Sequence, residues 1–125
     1  MREIRCIMID DEPKASLILV NFANRMDNIT VLGTFETLKE GFDFLKSINY
    51  EVEIVFLDVQ LHKESSIEYL LETGEDKLMN IVFTSAYQAS KFKDKNVQYF
   101  EWLEKPIRYG LFEDMIRKFQ HSRTS

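Results

Sequence analysis

The sequence predicts an α/β chain: a doubly wound, five-stranded parallel sheet with helices on both faces, built as (βα)5. Three observations predict it. Five short apolar runs alternate with helix-length segments in the order β-α, five times over, and such alternation implies parallel strands joined by crossover helices. Two of the runs, Ile54-Val55-Phe56-Leu57 and Ile81-Val82-Phe83, have no polar break, which suits strands covered on both faces. The length, 125 residues, accommodates an open sheet, whereas an eightfold barrel needs about twice as many residues.

The elements follow in order. Ile4–Ile9 reads as the first strand and stops in Asp10-Asp11-Glu12. Pro13 opens the first helix, where its missing N–H costs nothing, and that helix runs to about Met26. Ile29–Phe35 is the second strand. Leu38, Phe42 and Leu45, at helical spacing, mark one face of the second helix. Glu53–Leu57 is the third strand and ends in Asp58. Ile67, Leu70 and Leu71 mark the third helix, and Gly74 ends it. Met79–Thr84 is the fourth strand and runs into Ser85. A mostly polar fourth helix is expected near Gln88–Asn96. Gln98–Leu103 is the fifth strand, with Lys105-Pro106 just beyond it. The fifth helix carries Leu111, Phe112, Met115, Ile116 and Phe119 on one side. One domain spans 1–121, and 122–125 reads as a tail or the start of a linker.

Composition narrows the function. The chain is 45% apolar and 13% aromatic, enough for a core, and its net charge of −5 argues against direct nucleic-acid binding, which needs a basic surface. The single cysteine, Cys6, lies in the first apolar run and reads as a small core residue; it cannot form an internal disulfide. No apolar run is long enough to span a bilayer, so a cytoplasmic location without a membrane role is expected. No glycine-rich nucleotide loop follows the first strand.

Chemistry in open α/β sheets sits at the carboxyl ends of the strands. Here those ends gather Asp10, Asp11 and Glu12, then Asp58, then Thr84 and Ser85, then Lys105. Carboxylates crowded into a partly dry cleft ionise reluctantly unless a cation lies between them. A hard divalent ion such as Mg2+ takes oxygen ligands. A cation and a lysine beside one carboxylate suit phosphoryl transfer to an aspartate, because they neutralise the phosphoryl oxygens while the carboxylate attacks. Taken singly, each feature has a plainer reading: Asp11 or Glu12 as a helix N-cap, Asp58 as a turn residue, Thr84-Ser85 as a helix start. Together, in order and all at strand ends, they point to a cation site.

At this point the chain resembles the receiver domain of two-component response regulators. "IMIDDEP" resembles the family's acidic pair, "IVFLDVQ" its phosphoacceptor strand, "IVFTSAY" its switch-hydroxyl strand and "YFEWLEKPI" its last strand with the Lys-Pro step. The spacings agree: 47 residues from Asp11 to Asp58, 27 more to Ser85 and 20 more to Lys105. "RCIMIDDEP", "FLDVQ", "FTSAY" and "KPI" are similar to receivers that precede LytTR-type DNA-binding domains.

The resemblance implies a flavodoxin-like strand order, 2-1-3-4-5. It implies that Asp58 accepts a phosphoryl group, that Asp10, Asp11 and Asp58 hold Mg2+ or Mn2+ with the Gln60 backbone carbonyl, that Lys105 contacts the phosphate, and that the Lys105–Pro106 bond is cis. Ser85 takes the switch-hydroxyl position, with Thr84 as rival, and Trp102 the switch-aromatic position. The implied activity is that of a signalling domain with only self-phosphorylation and autodephosphorylation chemistry. The implied partners are a sensor histidine kinase or phosphotransfer protein, a second copy through the face of the fourth helix, fifth strand and fifth helix, and a C-terminal output domain outside this chain.

The chain also departs from the family. His62 and Ser66 stand where Pro and Gly are usual, four and eight residues after Asp58. His62 is read as a solvated loop residue rather than an acid–base group. Trp102 replaces the commoner Tyr, Phe or His, and Tyr99 and Phe100 add aromatic surface that suits a partner. Two rivals stay open: a receiver-like interaction module that needs no phosphate, and an aspartyl-phosphate hydrolase. The latter typically has a second acid where Gln60 stands.

Overall fold

The computed structural model describes residues 2–124. Five parallel strands form its sheet: β1 (Ile4–Ile9), β2 (Ile29–Phe35), β3 (Ile54–Asp58), β6 (Ile81–Ser85) and β7 (Glu101–Glu104). Their order, β2-β1-β3-β6-β7, is the expected 2-1-3-4-5 once a small antiparallel ribbon is set aside. That ribbon, β4 (Gln60–Leu61) and β5 (Glu64–Ser65), has its own two-stranded pairing. Because the order reverses beside β1 and β3, their carboxyl ends open a crevice.

The three central strands β1, β3 and β6 are almost wholly buried, as their unbroken apolar runs require. One core lies between the sheet and α2 (Leu38–Ser47) with α3 (Ser66–Thr73), built on Ile9, Phe42, Leu45, Val55, Leu57, Leu70 and Phe83. The other lies beneath α1 (Pro13–Asn24) and α4 (Tyr109–Thr124), built on Cys6, Met8, Leu19, Phe56, Phe112 and Ile116. Gly41 lets α2 approach β1: a Cβ there would run into the side chain of Ile9.

Local signals set the helix ends. Pro13 begins α1. The Thr37 hydroxyl caps α2 by accepting the Glu40 N–H at 3.1 Å, and Ser65 does the same for Glu68 at 3.3 Å in α3, each satisfying a donor that the first turn leaves orphaned. Gly74 closes α3 at φ 73°, a left-handed conformation that glycine adopts without a Cβ penalty. Glu12 occupies the N-cap position of α1, but its side chain makes no cap bond.

Three expectations are corrected. The fourth helix near Gln88–Asn96 is absent, and only a single 3-10 turn, Ala89–Phe92, forms there. The reason is the lack of an apolar stripe: Phe92 and Val97 pack against the core, while Lys91, Lys93, Asp94 and Lys95 belong in water, and short helices need tertiary packing to persist. The outer face near β7 is therefore built from an irregular segment, β7 and α4. Second, Leu111 does not join the apolar face of its helix but stays 51% exposed. Third, Leu71 is also exposed, beside the buried Leu70.

Helix α4 runs through Thr124, past the expected domain limit at residue 121, and the Ser122 hydroxyl donates to the Phe119 carbonyl at 2.7 Å. Met1 and Ser125, the outermost residues of the expected domain and tail, lie outside the described residues. Among the described residues no helix is long and apolar enough to cross a membrane.

Candidate functional site

Asp10 follows β1 directly, and Asp58 is the last residue of β3. Parallel pairing of these neighbours, Ile9 opposite Leu57, brings their carboxylates to one edge. Asp11 joins them: one carboxylate oxygen from each of Asp10, Asp11 and Asp58 lies within 4.8 Å of the others. Lys105, just beyond β7, reaches across the crevice. Its Nζ stands 2.9 Å from Asp10 Oδ2 and 3.5 Å from Asp58 Oδ2. The Lys105–Pro106 peptide is cis.

Asp58 is 6% exposed. Burial, and then the charge of Asp10, push its carboxyl up to about 7, against the pull of Lys105 and the Gln60 backbone N–H; Asp11 adds to the rise. Burial works against the Lys105 ammonium, but its hydrogen bond to Asp10 and the charges of Asp58 and Asp10 outweigh this and leave its pKa raised. The pocket thus has three acids and one ammonium. That is an electron-rich, all-oxygen donor set short of positive charge, which fits a hard divalent cation. Asp10, Asp11 and Asp58 could hold it. Asp10 is also tied locally, since its Oδ1 accepts the Glu12 N–H at 2.9 Å.

The loop after Asp58 is more ordered than its sequence suggests. The Ser66 side chain is fully buried and donates to the backbone carbonyl of Asp58 at 2.7 Å. Its N–H binds the Val59 carbonyl at 2.9 Å. His62 turns through a left-handed conformation, φ 53°, and its N–H donates to Asp11 Oδ2 at 2.7 Å. The His62 ring is 62% exposed, as a solvated residue should be, yet Nδ1 lies 3.7 Å from the same oxygen. The Gln60 side chain faces solvent.

Thr84 and Ser85 are both buried, on opposite faces of β6. Ser85 shares its face with Ile81, Phe83 and Trp102, whereas Thr84 shares one with Val82 and Leu103. Thr84 lines a hollow of about 190 Å³ with Asp10, Ile18, Lys105 and Pro106. The Ser85 hydroxyl accepts the Tyr87 N–H at 2.9 Å, and the Tyr87 carbonyl accepts the Trp102 indole N–H, also at 2.9 Å. The Trp102 ring packs on Phe83 and Phe92, each 5.4 Å between centroids, and on Tyr99 at 5.9 Å. A groove of about 580 Å³ runs past Trp102, Leu103, Leu111 and Met115.

The structure thus gathers Asp10, Asp11, Asp58 and Lys105 at one strand edge, leaves Thr84 in a hollow that shares only Asp10 and Lys105 with them, and links Ser85 to Trp102 through Tyr87. Sequence reading missed the tie from Ser66 to Asp58, the clasp of His62 on Asp11, and Tyr87. Its only signal was that residues 62 and 66 break the family pattern.

No family model matches the chain. Among curated proteins it is 26% identical over 119 residues to the sensory transduction protein LytR of Staphylococcus haemolyticus, covering 94% of this chain and 46% of LytR. It is 30% identical over 122 residues to an uncharacterized response regulatory protein of Shewanella oneidensis, covering 97% of this chain and 50% of that protein. The chain thus spans about half the length of these relatives. Among solved structures, the response regulatory domain of protein mrkE from Klebsiella pneumoniae superposes with a TM-score of 0.75 at 22% identity, covering 95% of this chain and 97% of that one; at that identity the likeness shows the shared fold.

Proposed function

Because the chain belongs to the response-regulator receiver family, we propose that it is a phosphorylation-dependent signalling switch with Asp58 as the phosphoacceptor. The observation that carries this reading is the meeting of Asp10, Asp11, Asp58 and Lys105 in one pocket. A phosphohistidine of a sensor kinase or phosphotransfer protein is the donor. An Asp58 carboxylate oxygen attacks phosphorus; the P–O bond forms as the P–N bond breaks, and the imidazole leaves with the electron pair and takes up a proton. Lys105, already within 3.5 Å of Asp58, meets the negative phosphoryl oxygens. Mg2+ or Mn2+, when bound by Asp10, Asp11 and Asp58 with the Gln60 carbonyl, supplies further positive charge against the transferring group.

The new phosphoryl oxygens then draw the Ser85 hydroxyl. Ser85 gives up the Tyr87 N–H, and Tyr87 is the residue whose carbonyl holds Trp102. Trp102 turns inward, and the surface of the 86–100 segment, β7 and α4 changes. Moving a switch from mostly off to mostly on needs a differential of roughly 3–5 kcal/mol, within reach of a few charge-assisted hydrogen bonds. Control of a C-terminal output domain, of the LytTR type suggested by the likeness to LytR, and pairing of two copies through this face follow from the same change. The setting is the cytoplasm.

Mass spectrometry after incubation with a small phosphodonor and Mg2+ tests this. One added phosphoryl group is expected, absent without metal and absent in Asp58→Ala. A chain that stays unmodified while binding Mg2+ would instead favour an interaction module that works without phosphate.

A further inference from the structure

The first residue of α3 has no part in the switch mechanism, yet it holds the backbone of the acceptor. Ser66 is completely buried. Its hydroxyl donates to the Asp58 carbonyl at 2.7 Å and lies 3.3 Å from the Val59 carbonyl. The Val59 N–H, on the same peptide unit as the Asp58 carbonyl, donates to the Thr84 carbonyl at 3.1 Å. The Val59 carbonyl accepts the Ser66 N–H at 2.9 Å, and the Gln60 N–H on that second unit turns back to the Asp58 carboxylate. Both peptide units that follow Asp58 are therefore tied at both ends, and Ser66 supplies one tie to each.

Resting on the reading of Asp58 as the phosphoacceptor, we propose that Ser66 is a positioning residue for phosphoryl transfer: its hydroxyl locks the Asp58–Val59 peptide and so holds the Asp58 carboxylate where Asp10, Asp11 and Lys105 meet it. The strength of the hold comes from its anchor. α3 is set into the core by Ile67 and Leu70, so the bond ties the acceptor to a packed helix, and groups fixed by such elements are placed more closely than groups on loops. Without the hydroxyl, the Asp58 carbonyl is left unpaired in a buried place, which is unfavourable. The peptide unit then tilts toward another donor and takes with it the second unit, whose N–H holds the carboxylate. A shift of about 1 Å in a reacting group is enough to cost roughly a hundredfold in rate. Ser66 stands where the family usually has glycine, which offers no hydroxyl, so this hold is a feature of this chain.

The test compares wild type with Ser66→Ala and with Tyr69→Phe, a control on the same helix that also loses one hydrogen bond, to Glu75. Each protein is incubated with acetyl phosphate at saturating Mg2+. Phosphoryl uptake per folded molecule is timed by mass spectrometry over a range of donor concentrations, and urea melts give the folded fraction. Ser66→Ala is expected to lower the limiting rate roughly tenfold at an unchanged half-saturating donor concentration, since Ser66 touches no donor. Tyr69→Phe is expected to leave both quantities unchanged. A wild-type limiting rate in Ser66→Ala overturns the proposal and spares the phosphoacceptor reading, as does an equal loss in both variants, which marks a merely structural bond. A loss confined to the half-saturating concentration also overturns it. If wild type takes up no phosphoryl group, the phosphoacceptor reading falls and this inference falls with it.

Discussion

Asp58→Asn, in the absence of divalent cations, is expected to make the folded chain more stable. The Asp58 carboxyl has an ordinary value of 3.8, which burial and then the charge of Asp10 raise to about 7. The folded chain therefore keeps a proton that the unfolded chain has released. Stability from this source is greatest at low pH and falls as pH rises from about 4 to about 7. A difference of about 3 units corresponds to about 4 kcal/mol, and solvent at the pocket mouth screens part of it, leaving about 2 kcal/mol. Asparagine has the same shape and no charge, so at pH 8 it removes the whole penalty and raises the melting temperature by about 5–10 °C. At pH 5 only about a third of the penalty applies, and the gain shrinks accordingly. Urea melts of both proteins in EDTA at pH 5 and pH 8 measure it. A gain no larger at pH 8 than at pH 5, or a variant less stable than wild type, refutes the reasoning.

Gly41→Ala puts a methyl group into the Ile9 side chain and should cost about 1–3 kcal/mol in urea denaturation as α2 is pushed off the sheet. Glu75, 6% exposed, accepts phenol hydrogen bonds from Tyr50 and Tyr69, each at 2.6 Å. Tyr69→Phe should therefore cost about 1–3 kcal/mol, more than an exposed Tyr→Phe control. Ser66→Ala deletes the bond to the Asp58 carbonyl while keeping the small side chain. A loss of about 1 kcal/mol is expected, with faster hydrogen exchange at residues 59–66 than at α2.

The elements that sequence patterning located well are those whose signal is local. β1 and β2 match their expected limits, and α2 begins where Leu38, Phe42 and Leu45 imply, because alternation and helical spacing are written in neighbouring residues. The fourth helix failed on the same grounds: its polar composition was local evidence against it, and the regular β-α rhythm was not enough to hold it. The acids, the hydroxyls and the lysine were found because each ends a strand and so carries its address along the chain. The β4–β5 ribbon escaped because strands of two residues leave no period to read.

By itself the sequence determined the parallel sheet, the strand order through its resemblance, and the edge on which Asp10, Asp11, Asp58 and Lys105 gather. Only the tertiary structure decided what presses on them. His62 reaches Asp11 from 51 positions away, the Ser66 hydroxyl turns inward to the Asp58 carbonyl, and Trp102 finds the carbonyl of Tyr87 rather than open water. Periodicity encodes which face a residue takes, whereas hydrogen bonds and pKa shifts depend on distances of a few ångströms between residues that the chain order keeps apart, and those distances exist only after the sheet has closed.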